Sequence, residues 1–149
     1  MNVILNVNNF NTNSIYFNNP IKNTVLDNSD SEFIKVIYSN NDVIINGIYL
    51  KMNLIYTNII DNNNNKFIYT FNYERNKDFI NKIINIENEI LFKYNKHLNK
   101  TYSLKDIFTK GSIRLYSDNK NKNKFIYIKI SGIWKSNNDI GLTYKIHDI

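Results

Sequence analysis

Of the side chains that do acid–base chemistry near neutral pH, this sequence has two histidines, His97 and His147, and no cysteine. His97 falls near the end of a helix-patterned segment and His147 two residues before the last. Neither has a patterned acidic neighbour, so each reads as a surface or helix-terminus residue rather than a general base. Without cysteine there is no disulfide framework, thiolate zinc site or cysteine nucleophile. The chain contains no HExxH, P-loop, GxSxG or dinucleotide fingerprint. Asp27, Asp30 and Glu32 cluster carboxylates as a hard cation requires, but their spacing is not that of an EF-hand loop and reads as a solvated acidic turn. Glu87 and Glu89 point to different faces of a helix and cannot pair on one. The residues point away from an enzyme, a metal site or a cofactor, and towards binding.

The chemistry that remains is ring stacking and phosphate pairing, concentrated in the last third. Alternation over Lys124–Ser131 puts Ile126, Ile128 and Ile130 on one face and Phe125, Tyr127 and Lys129 on the other. Ser112–Ser117 repeats the scheme, with Ile113 and Leu115 inward and Arg114 and Tyr116 outward. Over Ile140–Ile146 the inward set is Ile140, Leu142, Tyr144 and Ile146, leaving Gly141, Thr143 and Lys145 outside. The loop between the first two strands carries Lys120, Lys122 and Lys124 against a single Asp118. Bases stack on exposed rings while cations track phosphates, so one aromatic and basic face made of Arg114, Tyr116, Phe125, Tyr127, Lys129 and Lys145, edged by that lysine loop, suits single-stranded nucleic acid, DNA or RNA, with low sequence specificity. Sequence-specific duplex reading relies on arginines at base edges, and only Arg75 and Arg114 exist. The competing reading has the helix or the N-terminal block cover these rings as a second core layer or protein interface. Trp134 keeps the parity of the isoleucine face, which favours the core for it.

Composition weakens any argument from charge alone. The 149 residues carry a formal net charge of +6 and a pI of about 9.3, which ordinarily suggests an acidic partner. Yet the chain has 31 Asn, 26 Ile and 17 Lys with no Ala or Gln, the signature of a very AT-rich genome in which lysine codons accumulate without selection for binding. Apolar residues at 42% and aromatics at 14% are far from the disordered regime, and the length fits one domain with a sizeable core. No apolar run is long enough to span a membrane, and Met1 to Asn9 lacks the basic start and apolar centre of a signal peptide, so an intracellular home is expected.

These residues need strands to position them. A short, irregular first block offers strands at Val3–Val7, Ser14–Phe17 and Thr24–Leu26, followed by the acidic turn Asp27–Glu32. Phe33–Tyr38 is a strand, and Ser39 to Asp42 a turn. Val43–Thr57 is a long β-type run with a bend expected at Gly47. Asp61–Asn65 reads as a hairpin loop returning through Lys66–Tyr73. From about Lys77 to Leu98 apolar residues recur at helical spacing (Ile80, Ile83, Ile84, Ile90, Leu91, Tyr94), predicting an amphipathic helix of about six turns with Asn76 as N-cap. Leu104–Phe108 forms a short turn ending at Gly111, before the last three strands. The class is mostly β (α+β), and the order fits an OB-like Greek-key barrel or sandwich with one long amphipathic helix inserted before the last three strands.

Two segments carry a resemblance. Ile37-Tyr38-Ser39 with Asn46-Gly47-Ile48-Tyr49-Leu50, and Ile130-Ser131-Gly132-Ile133-Trp134 with Gly141-Leu142-Thr143-Tyr144-Lys145, resemble small uncharacterised proteins of large nucleocytoplasmic DNA viruses. The likeness covers about a third of the chain and contains no catalytic signature. It implies a viral source, and either an OB-fold single-stranded DNA-binding protein of replication or recombination, or a structural, minor capsid protein. It further implies action in the host nucleus or at a cytoplasmic replication site, with a homo-oligomer or a viral protein as further partners. No site residue is carried over from it.

Overall fold

Isoleucines alternating with polar or aromatic residues make strands through most of the chain. The computed structural model describes residues 3–22, 31–62, 65–117 and 125–148, and gathers those strands into two sheets. In chain order the elements are β1 (Ile15–Phe17), β2 (Ile21–Lys22), β3 (Ser31–Ser39), β4 (Ile44–Asn46), β5 (Ile48–Lys51), β6 (Tyr56–Asn62), β7 (Lys66–Phe71), α1 (Lys77–Tyr94), β8 (Asn99–Thr101), α2 (Ser103–Lys110), β9 (Ser112–Tyr116), β10 (Ile126–Ser136) and β11 (Asp139–Asp148). The larger sheet runs β1-β3-β10-β11-β8, with β2 and β4 also on β3 and β5 on β10; it is mixed, because β8 is parallel to β11, and it curls into a half-barrel. The smaller sheet, β6-β7-β9, is antiparallel.

The curl originates at a fork. β10 pairs with β3 from Gly132 to Ser136, but with β5 from Tyr127 to Ile130. β3 diverges and takes β4 as its neighbour beyond that point. One strand therefore bridges the fork, and it bends at Gly47, whose φ of +89° suits a residue without a Cβ. Its amide donates to the Val36 carbonyl, and an added Cβ would lie 2.9 Å from the Ile130 carbonyl oxygen. β10 answers with a bulge between Ile130 and Gly132, where its pairing with β11 shifts by one residue.

Helix α1 closes the concave side. Phe79, Ile80, Ile83, Ile86, Ile90 and Leu91 are buried with Ile128, Ile130 and Ile133 of β10 and with Tyr69, Phe71 and Ile113 of the small sheet. Each such side chain contributes about 1.5–3 kcal/mol. Phe108 of α2 is fully buried between Phe71 and Phe79, with ring centroids 6.1 and 6.2 Å away. The N-terminal block is tied to α1, where Thr12 donates to Glu89, Lys93 to the Thr12 carbonyl and Lys82 to Asn8, and to β5, where the Leu5 amide donates to the Tyr49 carbonyl and the Lys51 amide to the Leu5 carbonyl.

The mostly-β class, the single long helix ahead of the last long strands, the bend at Gly47 and the end of the short helical segment at Gly111 all match the reading from sequence. Other expectations need correction. The strands divide between a half-barrel and a separate small sheet, because β9 pairs with β7 and not with β10, so the last three strands are not neighbours in one sheet. The helix stops at Tyr94, since the Asn95 side chain accepts the amides of His97 and Leu98 and turns the chain out. Asn76 stands at the N-cap position but uses its side chain on Ile55 and Asn72. Val3–Val7 is no strand; Leu5 makes an isolated bridge to Leu50. Thr24–Leu26, Asp27 and Asp30 lie outside the described residues, and Glu32 belongs to β3. No helix among the described residues is long and apolar enough to cross a membrane.

Candidate nucleic-acid interface

Strand alternation aims the side chains and pairing gathers them. Ile126, Ile128 and Ile130 are buried, so Tyr127 and Lys129 face away from α1, with Phe125 just ahead of them. On one edge β5 sets Lys51 opposite Tyr127 and Tyr49 opposite Lys129. On the other, β11 sets His147 opposite Tyr127 and Lys145 opposite Lys129. Two rows thus cross three strands: Lys51, Tyr127, His147, then Tyr49, Lys129, Lys145.

In these rows rings and ammonium groups touch. Tyr127 stacks on His147 at 5.4 Å and 24°, and its centroid is 5.9 Å from that of Tyr49. The Lys51 ammonium lies 5.1 Å from the Phe125 centroid, and that of Lys129 lies 5.5 Å from the Tyr49 centroid. Lys51 and Lys145 are exposed, Phe125, Tyr127 and Lys129 half-buried, and Tyr49 buried beneath its neighbours. An exposed ammonium–ring contact is worth about 0.5–1 kcal/mol, less than a stacked base at roughly 1–3 kcal/mol. At the fork the patch continues into a groove of about 360 Å³ lined by Phe33, Lys35, Asn46, Lys129 and Ser131.

The expected site is therefore brought together only in part. Phe125, Tyr127, Lys129 and Lys145 share one face. Arg114 and Tyr116 do not join them, because β9 aligns with Lys66–Thr70 of β7; Tyr116, 72% exposed, instead meets the Lys66 ammonium at 5.7 Å. Lys120, Lys122 and Lys124 lie outside the described residues. Trp134 is corrected: the bulge shifts the register so that Ile133 points into the core, and the half-buried Trp134 lies over Gly141 on the outer face. Tyr49, Lys51 and His147 were missed. Alternation with the buried Ile48 and Leu50 marked Tyr49 and Lys51 as outward-facing, but no local signal linked them to β10.

Elsewhere, Glu87 is fully buried and accepts the amides of Leu104 and Lys105 at 2.9 and 3.1 Å. It thus caps α2, whose own N-cap residue Tyr102 makes no side-chain cap. Burial pushes its carboxyl pKa up, and the two amide bonds partly oppose that. Among the described residues no group of three His, Cys, Asp or Glu is placed to hold a metal ion. Compared with known proteins, the chain matches no family model, no curated protein and no solved structure.

Proposed function

We propose that this protein is a non-catalytic, single-stranded nucleic-acid-binding protein of low sequence specificity, with DNA as its principal ligand. The observation that carries this reading is the pair of rows on β5, β10 and β11, where Lys51, Lys129 and Lys145 stand beside Tyr127 and His147, with Tyr49 buried beneath them, on the side of the sheet opposite α1. Rings offer a face to any base and lysines meet any phosphate, so such a surface binds without reading sequence. We read the curled sheet and its helix as an OB-like arrangement, and the resemblance to viral proteins sets the reading in viral replication or recombination.

Fluorescence anisotropy with an oligo(dT) tests it. Binding is expected at low salt and weakens steeply as salt rises; no binding at low salt would sink the proposal. Tyr127→Ala is expected to raise Kd about 5- to 150-fold, the equivalent of roughly 1–3 kcal/mol for one stacked base, in a protein that still unfolds cooperatively. A second reading, an assembly or capsid component, draws on edge strand β6, where Ile59 and Ile60 are both exposed, next to the exposed Ile55. Concentration-dependent sedimentation that Ile60→Lys abolishes, with no DNA binding, would establish that one instead.

A further inference from the structure

β11 is covered by β10 along one edge, but on its other edge β8 pairs only Asp139–Gly141. β9 likewise has β7 on one side. Beyond those pairings the two strands line a cleft of about 510 Å³ between the sheets, with α2 at its side. Three cations from three elements line it: Lys110 from α2, Arg114 from β9 and Lys145 from β11. Ile107, Ile113 and Ile146 supply apolar wall. Burial first, and then the charges of Glu87 and Asp106, raise the pKa of the Tyr144 hydroxyl, but no carboxylate is among the lining residues.

We infer that this cleft binds a nucleoside 5′-phosphate monoester, the dianionic phosphate on Arg114, Lys110 and Lys145 and the flat base against the isoleucine wall. A guanidinium grips two phosphate oxygens in parallel, and a dianion engages several cations where a single phosphodiester charge does not. The volume falls in the range of small-ligand sites, which combine apolar wall with a few convergent polar groups. The same head group is available from a free mononucleotide or from the 5′ end of a strand. Lys145 belongs both to this cleft and to the outer rows, so a strand on the outer face has a route to it; only that second source rests on the function proposed above.

Calorimetric titration of the whole protein with dTMP, thymidine and orthophosphate is the test, alongside oligo(dT) with and without a 5′-phosphate. dTMP is expected to bind at least tenfold more tightly than either thymidine or orthophosphate. Arg114→Gln is expected to weaken dTMP at least tenfold; because Arg114 is exposed, its melting temperature should stay that of the parent. Lys145→Gln provides a second variant. A 5′-phosphate that tightens oligo(dT) binding, with the gain lost in Arg114→Gln, assigns the strand end as the source; dTMP binding without that gain assigns the free nucleotide. Equal binding of dTMP and thymidine, no dTMP binding, or indifference to both variants overturns the inference. Binding of the unphosphorylated oligo(dT) reports on the outer face alone, so failure there leaves the dTMP result standing.

Discussion

Replacing Glu87 by Ala removes the side-chain cap on α2, the helix that supplies Ile107 and Lys110 to the cleft. Two amides lose their acceptor, that of Leu104 in a buried space and that of Lys105 in a part-buried one. An orphaned buried N–H costs about 1–3 kcal/mol, so the pair, with the void beneath them, is expected to cost about 3–5 kcal/mol. Against a typical domain stability of about 5–15 kcal/mol that is a large share, readable in urea denaturation. Glu87→Gln keeps one acceptor oxygen and presents an amide donor to the other N–H; it is expected to cost about 1–3 kcal/mol. The two forms also differ with pH. The folded protein holds the Glu87 proton more tightly than the unfolded chain, whose ordinary value is 4.5. The stabilising contribution is therefore complete below 4.5 and is lost as pH rises through the raised folded value. The parent is accordingly expected to gain stability over Glu87→Gln as pH falls through that window. Amide exchange at Leu104 and Lys105 should accelerate in Glu87→Ala before the strands respond. A loss under 1 kcal/mol for Glu87→Ala, or a difference between parent and Glu87→Gln that is flat or shrinks as pH falls, refutes the reasoning.

Four further outcomes follow from particular contacts. Gly132→Ala puts a Cβ 2.3 Å from the Ile34 carbonyl oxygen, a backbone atom of the paired strand, and is expected to cost about 3 kcal/mol in thermal or urea unfolding. Gly141→Ala instead meets the Trp134 ring at 2.6 Å, a side chain able to swing, so about 1–2 kcal/mol with a red-shifted tryptophan emission is expected. Asn76→Ala breaks the bonds to Ile55 N–H, Ile55 C=O and Asn72 C=O at 2.7, 3.1 and 2.8 Å, and its loss of about 2–4 kcal/mol should appear as a lower urea midpoint. If Lys51, Lys129 and Lys145 are the phosphate contacts, the slope of log K against log salt for oligo(dT) is about −2, and Lys129→Ala makes it shallower by about 0.7.

How much of this was legible from sequence depended on whether the signal was local. Alternation gave the inward Ile126, Ile128 and Ile130 and the outward Phe125, Tyr127 and Lys129 correctly, because a strand's period is a property of its own backbone. The same rule misassigned Trp134, since a single extra residue at the bulge reverses parity for everything beyond it. Glu87 was seen only as unable to pair with Glu89. Its amide partners are 17 and 18 residues away and become its neighbours only once α2 packs against α1.

By itself, then, the sequence determined the absence of thiol chemistry, the mostly-β class, the long amphipathic helix and which side chains of each strand share a face. These follow from residue inventory and from backbone periods of 2 and 3.6 residues. Tertiary structure alone decided which faces meet. β9 went to β7 and removed Arg114 and Tyr116 from the rows on β10, while β5 brought Tyr49 and Lys51 to Tyr127 from across the chain. The bulge at Ile130–Gly132 then set His147 and not Asp148 opposite Tyr127. Strand partners separated by a helix and dozens of residues are chosen by how the whole core closes, and the alternation of any one strand is compatible with several of them.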